Sequence, residues 1–162
     1  MLVTLHPITT KEEIQKLMAM EGRPEYRNFI RQWSLEEHLK CLSDPDYAYF
    51  LIFNSEEHVG YVFVRGLQTN PQKLEIKRIA IYPADKGYGK QAFRELLAWC
   101  FEKQKAEVAW LDHFCDNHRA HALYSKLGFS EVRRQPVVNP DGTPGELVIM
   151  EIYASNSFIV SE

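Results

Sequence analysis

Two glycines, Gly87 and Gly89, stand where an apolar run gives way to an amphipathic one, within IAIYPADKGYGKQAFRELL, residues 79–97. The first N–H groups of a helix have no intrahelical acceptor, and the helix macrodipole adds partial positive charge there. Glycine at both positions removes the side chains that would keep a ligand off the backbone. Lys86 and Lys90 add positive charge beside them, and Asp85 opposes it. Such a segment either cradles phosphate groups or simply turns a strand tightly into a helix. A dinucleotide site needs a third glycine to complete G-x-G-x-x-G, and a nucleotide P-loop needs G-K-[ST]. Neither pattern is present.

A second group of reactive side chains follows in DNHRAHALYSKLGF, residues 116–129. Tyr124 lies on the stripe Ala120, Leu123, Tyr124, Leu127, where its ring can pack in the core while its hydroxyl reaches a cleft. His113, His118 and His121 cluster with Asp112 and Asp116. On a helix, 118 and 121 share a face, but His113 belongs to the preceding strand, so solvated helix ends explain the cluster better than a metal site does. Glu75 is a carboxylate within an apolar strand. It is either a base whose affinity for protons burial would raise, or a surface group paired with Lys77 or Arg78.

The elements that must position these groups follow from periodicity. Residues 2–6 read as a strand, and Thr9 or Thr10 caps a helix over about 11–20. Ser34 and Glu37 form a capping-box pattern ahead of a stripe at Leu35, Leu39 and Leu42. Aromatic and aliphatic runs at 47–53, 59–67 and 74–82 read as strands, the first two antiparallel neighbours. A helix between 88 and 104 buries Phe93, Leu96, Leu97, Cys100 and Phe101. A strand at 108–114, a helix over about 117–127 with Gly128 as its C-terminal cap, and strands near 129–138 and 146–153 complete the chain. The turn-rich NPDGTPG joins the last two as a hairpin tip. The order is β, α, α, β, β, β, α, β, α, β, β. It predicts a mixed α/β (α+β) domain over 1–153, followed by a tail at 154–162. The expected core is a mixed, mostly antiparallel sheet of about seven strands, with one parallel β-α-β unit and about four flanking helices.

Bulk properties narrow the class. A chain of 162 residues with 45% hydrophobic and 25% charged residues suits one soluble domain. Its net charge of −3 offers no general attraction to nucleic acid or anionic membrane. Cys41, Cys100 and Cys115 are widely spaced, with no C-x-x-C pair, so no disulfide framework or zinc site is expected. No secretory leader or apolar span is legible, and the expected setting is the reducing cytoplasm.

The glycine loop and the later helix, taken together, resemble the GNAT superfamily of N-acetyltransferases. That family's loop reads R/Q-x-x-G-x-G/A and its helix N-x-x-A-x-x-x-Y-x-K-x-G-F. The helix pattern is matched by Asn117, Ala120, Tyr124, Lys126, Gly128 and Phe129. The loop is matched at Gly87 and Gly89, while Ala84 stands at the Arg/Gln position. The resemblance implies acetyl-CoA as co-substrate, without metal, and acetyl transfer to a primary amine by direct attack in a ternary complex. It implies that Ile79, Ala80 and Ile81 pair their backbone with the pantetheine arm, and that Asn117 bonds the arm from the opposite wall. The amides of Lys86, Gly87, Tyr88, Gly89 and Lys90 would hold the pyrophosphate. Tyr124 would serve as the acid toward the leaving thiolate, and the general base would be Glu75 or, as in many family members, a water chain. The acceptor would enter beside residues 20–45 and the hairpin tip. A non-catalytic acyl-CoA-binding sensor of the same fold is the alternative. Pairing of two copies is expected through an exposed C-terminal strand and the Phe158–Val160 tail.

Overall fold

Thr10 and Ser34 start the first two helices in the same way. Each side chain accepts from the backbone N–H three residues on, and Glu13 and Glu37 accept in return from the cap N–H groups. Four otherwise unsatisfied donors are thereby paired locally. The computed structural model describes residues 1–27 and 30–156. Among them lie β1 (Val3–Pro7), α1 (Lys11–Glu21), α2 (Leu35–Leu42), β2 (Tyr47–Asn54), β3 (Glu57–Arg65) and β4 (Lys73–Ile81). Then follow α3 (Tyr88–Ala98), β5 (Val108–Phe114), α4 (His118–Leu127), β6 (Ser130–Val138) and β7 (Pro144–Tyr153). The order is the one the sequence predicts. The helix expected over 88–104 is α-helical to Ala98 and continues as a π turn, Trp99–Lys103.

All seven strands form one sheet in the order β1-β2-β3-β4-β5-β7-β6. Every pairing is antiparallel except β4 with β5. Strand alternation sends side chains to two cores. Phe50, Ile52, Val62 and Val64 pack on one face with Phe93, Leu96 and Leu97 of α3 and Leu127 of α4. Tyr49, Leu51, Tyr61 and Phe63 pack on the other with Ile14 and Leu17 of α1. No helix among the described residues is long and apolar enough to cross a membrane.

One strand is misplaced by sequence reasoning. The C-terminal strand β7 is not exposed but inserted between β5 and β6. Its Val148, Ile149, Met150 and Ile152 are buried, whereas β6, with Glu131, Arg133, Arg134 and Pro136, is almost wholly exposed and forms the edge. The apolar strand takes the interior position because only there are both its faces covered, and a charged, proline-bearing strand suits an edge. The Phe158–Val160 tail lies outside the described residues.

Between α1, α2 and the sheet sits a buried polar network. Glu21 is 1% exposed and His38 0%. His38 Nε2–H donates to Glu21 at 2.9 Å, and its Nδ1 shares a 2.9 Å bond with the Tyr49 hydroxyl. The Tyr61 hydroxyl and the Arg78 guanidinium donate to the other Glu21 oxygen at 2.9 and 2.6 Å. Burial alone would raise the Glu21 carboxyl, but His38 and Arg78 outweigh it and hold the group below the usual carboxylate range. Its contribution to stability is therefore complete above the ordinary value of 4.5 and is lost as pH falls through the lowered folded-state value. Replacing Glu21 by Ala strands a guanidinium, an imidazole and a phenol without their acceptor. The expected cost is about 3–5 kcal/mol, read as a lower urea midpoint at neutral pH. An unchanged midpoint would show that the network contributes nothing.

Candidate functional site

The parallel ladder between β4 and β5 is only three residue pairs long, from Lys73↔Val108 to Glu75↔Trp110. Beyond it the strands part, and a cleft of about 1080 Å³ opens between Ile76–Ile81 on one side and Leu111–Phe114 on the other. A bulge on the β3 side of β4, where the register steps from Val64↔Ile76 to Phe63↔Arg78, leaves Lys77 unpaired. Bulges bend a strand and increase its twist, which favours the divergence. The parting leaves one edge of β4 without a partner strand. Tyr82 N–H donates to the Val59 carbonyl on the β3 side. By alternation the polar backbone groups of Ile81 and Ile79 face the open edge and those of Ala80 face β3. The close approach of the Ala80 carbonyl to Gly60 agrees, since a Cβ on Gly60 would lie 2.4 Å from that oxygen. The Tyr26 hydroxyl donates to the Ile81 carbonyl and ties the α1–α2 connection to this edge.

The N-terminus of α3 forms the next wall. Its cap, Gly87, has φ 82°, a left-handed conformation that costs other residues energy, and no side chain caps the helix. No acidic residue occupies the first turn, so the amides of Tyr88, Gly89 and Lys90 are open to an anion. Gly89 packs against α4, where an added Cβ would lie 3.4 Å from Leu123. Asp85, which opposes anion binding by its charge, is paired with Arg119 at 3.1 Å.

Ile79, Ala80, Ile81, Gly87, Tyr88, Gly89, Lys90, Asn117 and Tyr124 all line this one cleft. Lys86 does not; it is exposed beyond the rim. Asn117 caps α4, its Oδ1 accepting from Ala120 N–H at 3.2 Å, which leaves its amide NH2 for a ligand. Tyr124 is 8% exposed, its ring set against Phe93, Phe129 and His113. Its hydroxyl has no hydrogen-bond partner among the described residues. Burial, with the nearby Asp112 charge, pushes this phenol well above its ordinary value, so it remains a proton donor at neutral pH.

Glu75 falls outside the cleft. It sits at the last parallel pair, below the point where the strands part, and Arg65 Nε–H donates to it at 2.9 Å. The carboxylate that does line the cleft is Asp112, two residues past the parting on β5. It makes no hydrogen bond or ion pair among the described residues. Burial raises it, Lys77 being the strongest charge that opposes the rise. Sequence reasoning met Asp112 only as a neighbour of His113. The available signal was alternation, which sets Trp110, Asp112 and Phe114 of VAWLDHF on one face. His113 and His121 are not solvated helix ends either. His113 is buried, donates to the Phe114 carbonyl at 2.8 Å and shares a 3.0 Å bond with His121. Among the described residues no three His, Cys, Asp or Glu side chains gather to hold a metal ion.

A family model described as acetyltransferase (GNAT) family matches residues 12–129. Acetyltransferase PseH of Campylobacter jejuni subsp. jejuni is 26% identical over 125 residues, covering 74% of this chain and 78% of that protein. A solved variant of the spermidine N-acetyltransferase SpeG from Vibrio cholerae superposes with a TM-score of 0.82 at 20% identity, covering 98% of this chain and 99% of that one. A Vibrio cholerae spermidine N-acetyltransferase in complex with CoA and spermine gives a TM-score of 0.77 at 20% identity, with 95% and 96% covered. At such identities the two solved structures establish a common fold.

The electrostatics of Asp112 are open to direct measurement. Carboxyl carbon NMR is expected to show Asp112 titrating above its ordinary value of 3.8, and Lys77→Gln to raise it further by removing a stabilising cation. A midpoint at or below that value, or a downward move in the variant, would contradict this description of the cleft.

Proposed function

Because this chain belongs to the acetyltransferase (GNAT) family, we propose that it moves the acetyl group of acetyl-CoA to a primary amine, by direct attack with both substrates bound. The observation that carries the reading is the convergence of an open helix N-terminus, an unpaired strand edge, a phenol and a free carboxylate on one cleft. The binding elements suit the co-substrate. The amides at Tyr88–Lys90 and the Lys90 ammonium hold the pyrophosphate. The open edge of β4 at Ile79 and Ile81 offers backbone groups to the amides of the pantetheine arm, as a strand offers them to a neighbour. The Ile81 carbonyl is already engaged by Tyr26, which leaves its N–H and the groups of Ile79. Asn117 offers its amide from the other wall.

Acetyl-CoA supplies a thioester carbon open to a nucleophile. The acceptor arrives as an ammonium ion, since a lysine-like amine has a pKa near 10.4. Asp112 holds that ion by charge and takes its first proton, directly or through water that passes it to solvent, which frees the nitrogen lone pair; once the nitrogen has bonded to the thioester carbon it becomes acidic and gives up a second proton by the same route. Glu75 is poorly placed for this role, because Arg65 occupies it below the parting of the strands. Tyr124 donates its hydroxyl proton in a hydrogen bond to the sulfur as the C–S bond breaks, which favours departure of the thiolate. The spermidine N-acetyltransferases that share this fold support an amine acceptor. A purely acyl-CoA-binding sensor would have no use for Asp112 and Tyr124 side by side in the cleft.

The deciding experiment is amine-dependent thiol release from acetyl-CoA. Tyr124→Phe and Asp112→Asn are each expected to lower kcat by about a hundredfold, with CoA affinity little changed. In the wild type, kcat/KM should rise with pH through the raised Asp112 value, and Asp112→Asn should lose that limb. CoA binding without release by any amine would leave the sensor instead. Gly87→Glu, which adds a strained left-handed residue and a negative charge beside phosphate, should weaken CoA binding about tenfold or more in calorimetry. Equal affinity would remove the α3 cradle from the site.

A further inference from the structure

On the acetyltransferase reading of this cleft, we propose that the acceptor is an amine that also carries a carboxylate or phosphate, its ammonium facing Asp112 and its anionic group facing Lys77 and Arg31. The charges of the acceptor half select this class once those already paired are set aside. Glu25 is held by Arg23 at 3.2 Å. Arg78 is held by Glu21 at 2.6 Å, its guanidinium lying 5.1 and 5.4 Å from the ring centres of Trp33 and Phe63. Two cations remain, with one carboxylate at the parting of the strands; Asp116, past the end of β5, lines the cleft as well but is exposed.

Lys77 is one of them. Its ammonium forms a long ion pair with Glu75 Oε2 at 3.9 Å, beyond hydrogen-bond distance, while Arg65 holds the other oxygen, Oε1, at 2.9 Å. The bulge turns Lys77 into the cleft instead of leaving it in the ladder. Its side chain is only 28% exposed, so its three donors are partly withdrawn from water, and among the described residues they make no hydrogen bond, only the long ion pair to Glu75. Arg31 is the second, exposed at the mouth with no hydrogen bond or ion pair among the described residues. Asp112 is the carboxylate. It faces Lys77 across the parted strands, close enough to feel its charge but with no ion pair between them.

A cation and an anion held apart on opposite walls complement a zwitterion, which pairs with both at once. A polyamine would satisfy Asp112 but set its remaining ammonium groups near Lys77 and Arg31, where like charges repel. A simple amine would leave the Lys77 donors unmet. A lysine ammonium is a compact point charge that serves a carboxylate or a phosphate equally well.

The test compares acceptors that differ in the anionic group alone. Thiol release from acetyl-CoA is measured with β- and γ-amino acids against their primary amides, glucosamine 6-phosphate against glucosamine, and spermidine. In at least one pair the anionic member should exceed its neutral partner about tenfold or more in kcat/KM, with spermidine below it. Lys77→Gln should close that gap, chiefly through KM, and Lys77→Arg should preserve it. The pair that shows the gap identifies carboxylate or phosphate. Equal use within both pairs, preference for a neutral member or for spermidine, or a gap that survives Lys77→Gln would overturn the proposal. Calorimetric titration of the CoA-saturated protein with the same compounds reads the preference without turnover. Selective binding without thiol release would keep the anionic ligand and remove the acetyltransferase reading. Release without selectivity would do the reverse.

Discussion

The functional architecture depends on the shortness of one β ladder. β4 and β5 hold each other for three residue pairs and then diverge. If the ladder ran on to Ile81, the backbone groups of β4 would be spent on β5 and no cleft would exist. The unpaired edge could not persist as ordinary buried backbone, because polar groups withdrawn from water need partners. It persists because it borders a cleft, and because Tyr26 satisfies the Ile81 carbonyl. Everything chemical is arranged around this parting: the α3 amides at its rim, Tyr124 on one wall, Asp112 and Lys77 facing each other across it.

A second constraint keeps the wall formed by the α1–α2 connection in place. The α1–α2 connection packs against a sheet face whose centre is polar, not apolar. Glu21, at the end of α1, gathers donors from α2, β3 and β4, and through Arg78 its charge reaches the cleft wall. Such a centre is costly if any member is missing and specific when all are present. It fixes where Arg78 lies on the cleft wall, beside the Trp33 ring. The opposite face, built on Phe93, Leu96 and Leu97, is apolar and holds α3 with its N-terminus at the cleft.

Glu75 and Asp112 illustrate how position relative to the parting assigns chemistry. Both are substantially buried carboxylates on neighbouring strands. Glu75 lies within the ladder and is held by Arg65; Asp112 lies past it and makes no hydrogen bond or ion pair among the described residues. Local sequence cannot separate the two, because each sits in an apolar strand and no residue nearby announces where the strands diverge.

What the chain dictates by itself is therefore the local part. The capping boxes at Thr10 and Ser34, the glycine N-cap of α3, the Asn117 cap and the stripe carrying Tyr124 each depend on residues within about one helical turn, where spacing alone sets who meets whom. The element order and the open N-terminus of α3 follow from them. Tertiary structure decided the rest. It placed β7 inside the sheet and β6 at its edge. It joined Glu21 to Arg78 across 57 positions of sequence, and it set Asp112, not Glu75, in the cleft. Each of these choices rests on contacts between distant segments, whose energies depend on burial and mutual distance that spacing along the chain does not encode.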